Sequence, residues 1–108
     1  DFIISRGYDK VIRDKRVLVV EDVLTTGSSV KKVIRATRMA GAHVVGVSVI
    51  CNRGDITKQD LDVPRLETLI NVKLDAWDEN DCPLCKQGVP VNTDVGKGRE
   101  FLARKQVA

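Results

Sequence analysis

The sequence predicts an α/β fold, a parallel sheet with flanking helices, and three observations predict it. The run Val17-Leu18-Val19-Val20 is apolar without a break and leads straight into two acids, Glu21 and Asp22. A short apolar run bounded by a turn reads as a strand buried on both faces, the kind that parallel sheets contain. A second run, Val44-Val45-Gly46-Val47-Ser48-Val49-Ile50, is β-branched and uncharged, which suits a buried, pleated surface. Between them Val30, Val33, Ile34, Thr37 and Met39-Ala40 recur at helical spacing. Strand, helix and strand within about 35 residues make a βαβ unit, whose strands should run parallel with a right-handed crossover.

The remaining elements follow in chain order. Phe2 to Ser5 reads as a short strand, Arg6 to Lys10 as a loop, and Val11 to Lys15 as a charged lead into the strand Arg16–Glu21. In the helix, Lys31, Lys32, Arg35 and Arg38 fall largely opposite the apolar stripe. Ser28 or Thr26 is placed to cap its start and Gly41 to end it as the C′ residue. Cations in its later turns complement the helix dipole. Asn52 to Asp55 forms a loop after the second strand, and Leu66 to Leu74, just past Pro64, alternates enough for a third. From Asp75 to Asp94 turn residues dominate, and Arg99 to Gln106 reads as a short helix with Phe101 and Leu102 apolar. Trp77 and His43 read as packing residues. No internal repeat or low-complexity linker breaks the chain.

Its 108 residues suit one domain with one core, so 1–108 reads as a single domain with 75–98 as a turn-rich, Cys-containing segment. Lys and Arg number 18 against 15 Asp and Glu, and the net +3 is too small and too scattered for a nucleic-acid footprint. No apolar run approaches the roughly 18–20 residues of a membrane span, and no signal-peptide pattern opens the sequence. Three Cys, an odd number, do not make a disulfide framework. A reducing cytoplasm is the expected compartment. The chain opens on Asp1-Phe2-Ile3-Ile4 rather than Met, which suggests a trimmed terminus or a start inside a larger domain.

The chemistry concentrates at the end of the first strand. Open α/β sheets bind ligands beyond the carboxyl ends of their strands, and Glu21 and Asp22 sit there. The turn Thr25-Thr26-Gly27-Ser28-Ser29 offers hydroxyls and closely spaced N–H groups at a helix start, which suits a phosphate. Hydroxyl acceptors beside a phosphate cradle describe a sugar-phosphate site. Taken singly, the acids read equally well as a solvated strand end, and the turn as a plain N-cap.

In sequence, Val17–Ser29 resembles the phosphoribosyl-pyrophosphate (PRPP) signature of type I phosphoribosyltransferases. The spacing from Phe2 through Arg53 is similar to the orotate phosphoribosyltransferase branch, as are Cys82-Pro83-Leu84-Cys85 and Val91 to Gly98. The resemblance implies a Rossmann-like parallel sheet with flanking helices, here the C-terminal portion of the family fold. Family members carry a further N-terminal segment that supplies sheet strands, a pyrophosphate-binding turn and part of a hood over the base.

The resemblance also implies an activity: transfer of phosphoribose from PRPP to a pyrimidine-type base, orotate giving orotidine 5′-monophosphate and pyrophosphate. Glu21 and Asp22 would accept from the ribose 2′- and 3′-hydroxyls and stabilise charge developing on the ring. Val23, Leu24, Thr25, Thr26, Gly27, Ser28 and Ser29 would hold the 5′-phosphate. Arg6 and Lys10, with Arg13 behind them, lie where the family has a mobile catalytic loop over the pyrophosphate, although charged loop residues are often only solvated. Arg53 matches the position of an Arg beside the base, where a planar guanidinium suits a carboxylate or carbonyls. Mg²⁺ would be held mainly through PRPP oxygens and water, and the family habit is a homodimer. The expected partners are PRPP and a nucleobase, with neither nucleic acid nor membrane. A PRPP-binding regulatory or scaffold module without catalysis is the alternative, and a purine-type phosphoribosyltransferase a further one.

Cys82 and Cys85 make half of a structural zinc site, which wants four ligands. Cys51 and His43 are the other candidates, but a strand of that length separates them by about 25 Å. No metal site is therefore expected within one chain, and a turn with half-buried thiols is the favoured reading. A zinc or interaction domain and a redox pair stand as the alternatives.

Overall fold

A computed structural model of the protein describes residues 2–107. Three strands, β1 (Arg16–Leu24), β2 (His43–Asn52) and β3 (Leu66–Asn71), form one sheet in the order β1-β2-β3. Both pairings are parallel, with Val19 opposite Val47 and Val49 opposite Thr68. Helix α1 (Tyr8–Ile12) precedes β1, α2 (Ser28–Met39) connects β1 to β2, and α3 (Lys58–Leu61) lies between β2 and β3. The α/β parallel sheet with flanking helices is thus the architecture found. The chain divides into two compact units, Asp1–Asp75 and Ala76–Ala108.

The core of the first unit lies between the sheet and α2. Val30, Ile34, Ala36 and Thr37 are the buried residues of α2, and Val30 and Ile34 cluster with Val19, Leu24, Val44, Val47 and Val49. Leu61 and Val63 join that cluster from α3 and its exit. Met39, expected on the apolar stripe, is instead exposed, and Ala36 takes an inward place. The helix ends in a Schellman arrangement: Gly41 N–H donates to Arg38 and Ala42 N–H to Thr37, with Gly41 at φ 84°. Its start departs from the expected Ser28 or Thr26 cap. The N-cap is Gly27, left-handed at φ 80°, and no side-chain capping bond reaches the helix from that position. Thr26 contributes from one residue earlier, its hydroxyl accepting from Ser28 N–H at 3.3 Å.

Four expectations need correction. Phe2 to Ser5 is not a strand, because β1 pairs only with β2 and offers these residues no ladder. Phe2, Ile3 and Ile4 lie instead beside Ala36, Met39 and Ala40 of the α2 region. The assumed loop after them turns at Arg6 (φ 60°) and Gly7 (φ 78°) and enters α1. The β1 strand is not buried on both faces: Val19 is in the core, but Leu18 and Val20 on the alternate face are exposed, Val20 by 71%. Ile50 and Leu69 share that exposure on β2 and β3. An apolar run reports hydrophobic surface, but only neighbouring elements decide how many faces are covered. His43 and Trp77, read as packing residues, are both exposed.

Two glycines allow close approaches. A Cβ on Gly46 would come within 2.8 Å of the Arg65 carbonyl, where Val47 N–H bonds that same oxygen at 2.9 Å as β3 begins. A Cβ on Gly54 would collide with the Thr25 carbonyl, so the loop after β2 is pressed against the turn after β1.

The second unit, taken by itself, holds α4 (Pro83–Lys86) and α5 (Gly98–Val107). Lys105 pairs with Glu79 at 2.6 Å and its ammonium lies 5.5 Å from the Phe101 ring centroid. Among its described residues only Gly98 is fully buried.

Candidate functional site

Strand β1 carries both acids within its last turns of pleat rather than just beyond it. Adjacent residues of a strand point to opposite faces, and accordingly Glu21 is half-buried while Asp22 is exposed. Their carboxyl groups nonetheless turn toward each other and toward the backbone. Glu21 Oε1 accepts from Asp22 N–H at 3.0 Å, and Asp22 Oδ1 accepts from Val23 N–H at 2.7 Å. The Asp22 carboxyl is held below the usual carboxylate range, first by hydrogen bonding with the Glu21 side chain and then by the Val23 amide. Asp22 is therefore ionised at neutral pH. Both acids border an open depression with Val20, Ser48, Ile50 and Leu69.

Immediately after β1 the chain forms a short polar turn. Thr25, Thr26, Ser28 and Ser29 are exposed and Gly27 is buried. Thr26 and Ser28 hydroxyls bond each other at 3.2 Å. Gly27 fits beneath Leu61 and Ile56, where a Cβ would lie 3.2 Å from Leu61 Cδ2, so only glycine gives this turn its left-handed φ and its depth. Hydroxyls and the first amides of a twelve-residue helix thus face solvent together, a geometry suited to an anion.

Arg53 is drawn to the same place by its backbone. Its N–H donates to the Leu24 carbonyl at 2.9 Å, and its Nε is buried without a hydrogen-bond partner. Asn52, which sequence reasoning passed over, organises this loop. Its buried side chain donates to the Ile56 carbonyl at 2.7 Å and accepts from Gly54 N–H at 3.3 Å and Ile56 N–H at 3.1 Å. An Asn closing a buried strand ahead of an Arg-Gly-Asp turn is the signal that marks such an Asx-type anchor.

Glu21, Asp22, Val23 to Ser29 and Arg53 are therefore neighbours at one end of the sheet. Arg6 and Lys10 are not among them. Arg6 precedes α1 and Lys10 lies on it; Asp9 and Arg13 of this region border Met39 and Ala40 at the C-terminal end of α2. That is the amino end of the strands, where Asp14 N–H bonds the Gly41 carbonyl and His43 N–H the Lys15 carbonyl. The donor set near the acids is carboxylate oxygen, which fits a hard cation such as Mg²⁺. No group of three or more His, Cys, Asp or Glu able to hold a metal occurs among the described residues, so one or two carboxylates and substrate oxygens are the available ligands.

Residues 9–81, the segment that contains β1, the polar turn and Arg53, match the phosphoribosyl transferase domain. The chain belongs to this family. It is 43% identical over 88 residues to an orotate phosphoribosyltransferase of Caldanaerobacter subterraneus subsp. tengcongensis, covering 82% of this chain and 45% of that protein. The orotate phosphoribosyltransferase of Thermotoga maritima is 46% identical over 84 residues, 78% of this chain and 44% of its own length. That of Desulforamulus reducens is 47% identical over 76 residues, covering 70% and 39%. This phosphoribosyl transferase chain thus spans less than half the length of these curated relatives. No solved structure matches it at a significant level. Among the described residues no helix is long and apolar enough to cross a membrane.

Proposed function

We propose that this chain carries the PRPP-binding part of an orotate phosphoribosyltransferase, which moves phosphoribose from PRPP to orotate in pyrimidine nucleotide synthesis. The observation that carries the reading is the convergence of a carboxylate pair, a hydroxyl-rich turn at a helix start and a buried, unpartnered guanidinium nitrogen at one sheet end. Asp22, kept ionised, and Glu21 accept from the vicinal ribose hydroxyls, and their negative charge stabilises the cationic ring that develops as pyrophosphate departs. The 25–29 turn takes the 5′-phosphate on its hydroxyls and helix amides. Arg53, with an unused donor, takes the carboxylate or a carbonyl of the base. Mg²⁺, when bound, neutralises pyrophosphate charge and is carried largely by substrate oxygens. Arg6, at the turn into α1, and Lys10, on that helix, would meet the pyrophosphate of a neighbouring site, in keeping with a homodimer. The relatives' names support orotate as acceptor over a purine.

Calorimetric titration with PRPP and Mg²⁺ tests the donor site, and a spectrophotometric orotate assay tests the transfer. Saturable PRPP binding is expected, and Asp22→Asn should weaken it about tenfold through loss of a charge-assisted hydrogen bond. Absence of PRPP binding would sink the proposal. Binding with no nucleotide formed would select the regulatory module instead.

A further inference from the structure

Cys82 and Cys85 stand outside the site described above and serve nothing in it. Cys82 is the N-cap of α4, extended at φ −67° and ψ 119°, with Pro83 in the first helical position. Cys85 follows one turn later, so the two side chains share a face. The turn between them is well closed: Lys86 N–H donates to the Cys82 carbonyl at 3.1 Å and Gly88 N–H to the Cys85 carbonyl at 3.1 Å. Both thiols are free, Cys82 half-buried and Cys85 exposed. Within the same unit Glu79, itself paired with Lys105 at 2.6 Å, lies close enough to Cys85 for both charges to act on it.

We propose that Cys82 and Cys85 form a reversible dithiol–disulfide couple that exchanges with small-molecule disulfides, Cys82 attacking and Cys85 resolving. In the first step the Cys82 thiolate bonds one sulfur of the small disulfide and expels the other as a thiolate. In the second the Cys85 sulfur attacks Cys82 in that mixed disulfide, releasing the remaining small thiol. The protons lost by the two cysteines end on the two small thiols. The protein is oxidised by two electrons and the small disulfide is reduced by two.

The electrostatics agree with that division of roles. The amide of Cys85, then its thiol, faces the Cys82 sulfur and holds that group below the ordinary thiol range, with Lys86 assisting, although the geometry falls short of a full N-cap bond. The same contact with Cys82 pushes the Cys85 thiol up. A thiol that ionises readily attacks first, and its partner waits as the resolving group. Neighbouring sulfurs on one turn reach the disulfide length of about 2.05 Å by side-chain rotation.

The full chain, reduced, is equilibrated with mixtures of reduced and oxidised glutathione, quenched by alkylation, and its peptides are weighed. One internal disulfide joining Cys82 to Cys85 is expected, with Cys51 alkylated. Cys85→Ser should accumulate a glutathione adduct on Cys82. Cys82→Ser should form adducts at Cys85 about tenfold more slowly. Thiols that stay reduced in oxidised glutathione would overturn the proposal, as would adducts spread evenly over Cys51 and Cys82 in Cys85→Ser. Zinc that binds the reduced chain and shields both thiols from oxidation would overturn it too.

Discussion

Arg53 carries a buried donor that has no hydrogen-bond partner, an arrangement that works against stability. Its Nε is buried with no partner, and an unsatisfied buried donor costs about 1–3 kcal/mol. Arg53→Met keeps the stem and removes that donor. Urea unfolding of the ligand-free variant should give stability equal to the parent or higher by about 1 kcal/mol, while base binding measured by calorimetry should be lost. A variant that is clearly less stable would mean that the guanidinium has a structural partner. At this scale the sequence marked the acids, the hydroxyl turn and Arg53, because each is a residue type whose chemistry can be named in isolation. It could not mark Asn52 or Gly54. Their importance lies in what they touch, the Ile56 backbone for one and the Thr25 carbonyl for the other. Neither neighbour is fixed until two loops meet.

Among the elements, β3 is admitted to the sheet by the absence of a side chain on its neighbour. Gly46→Ala would set a methyl 2.8 Å from the Arg65 carbonyl, a backbone atom with no flexible end to yield. A loss of about 1–3 kcal/mol by urea denaturation is expected, and an unchanged midpoint would show that β3 shifts freely. Helix α3 offers a pH test. Asp60 closes a capping box, accepting from Thr57 N–H at 2.8 Å and the Thr57 hydroxyl at 2.9 Å. These bonds, the backbone one foremost, hold its carboxyl below the ordinary range. A folded-state value below the unfolded one gives a contribution that is complete above the ordinary carboxylate range. It is lost as pH falls through the depressed folded value. The stability difference between the parent and Asp60→Asn should therefore shrink from about pH 5 downward and vanish at the acid end of a urea series. The βαβ unit was legible because periods of 2.0 and 3.6 are local properties. The Phe2–Ser5 strand was misread because a strand needs a partner, and its pattern alone names none.

Across the whole molecule, the burial is uneven. The sheet and α2 hold the apolar cluster of the first unit, whereas the described part of Ala76–Ala108 buries little. Native-state hydrogen exchange should find the slowest amides in β1, β2 and α2, and exchange orders of magnitude faster across 76–107. Equal protection in both units would contradict the division. The same accounting exposes Leu18, Val20, Ile50 and Leu69 on one sheet face, in a chain whose curated relatives are more than twice the length matched.

What the sequence determined by itself was a parallel α/β unit and, at the end of its first strand, the acid and hydroxyl motif on which the proposed sugar-phosphate site rests. Apolar periodicity, glycine placement and the Glu21–Ser29 motif are written in consecutive residues, so no distant contact was needed to read them. Only the tertiary structure decided which sheet face is covered, that Gly27 rather than a hydroxyl caps α2, and that Arg53 joins the acids while Arg6 and Lys10 do not. Each of those depends on the packing of segments far apart in the chain, and packing is a property of neighbours rather than of order along the backbone.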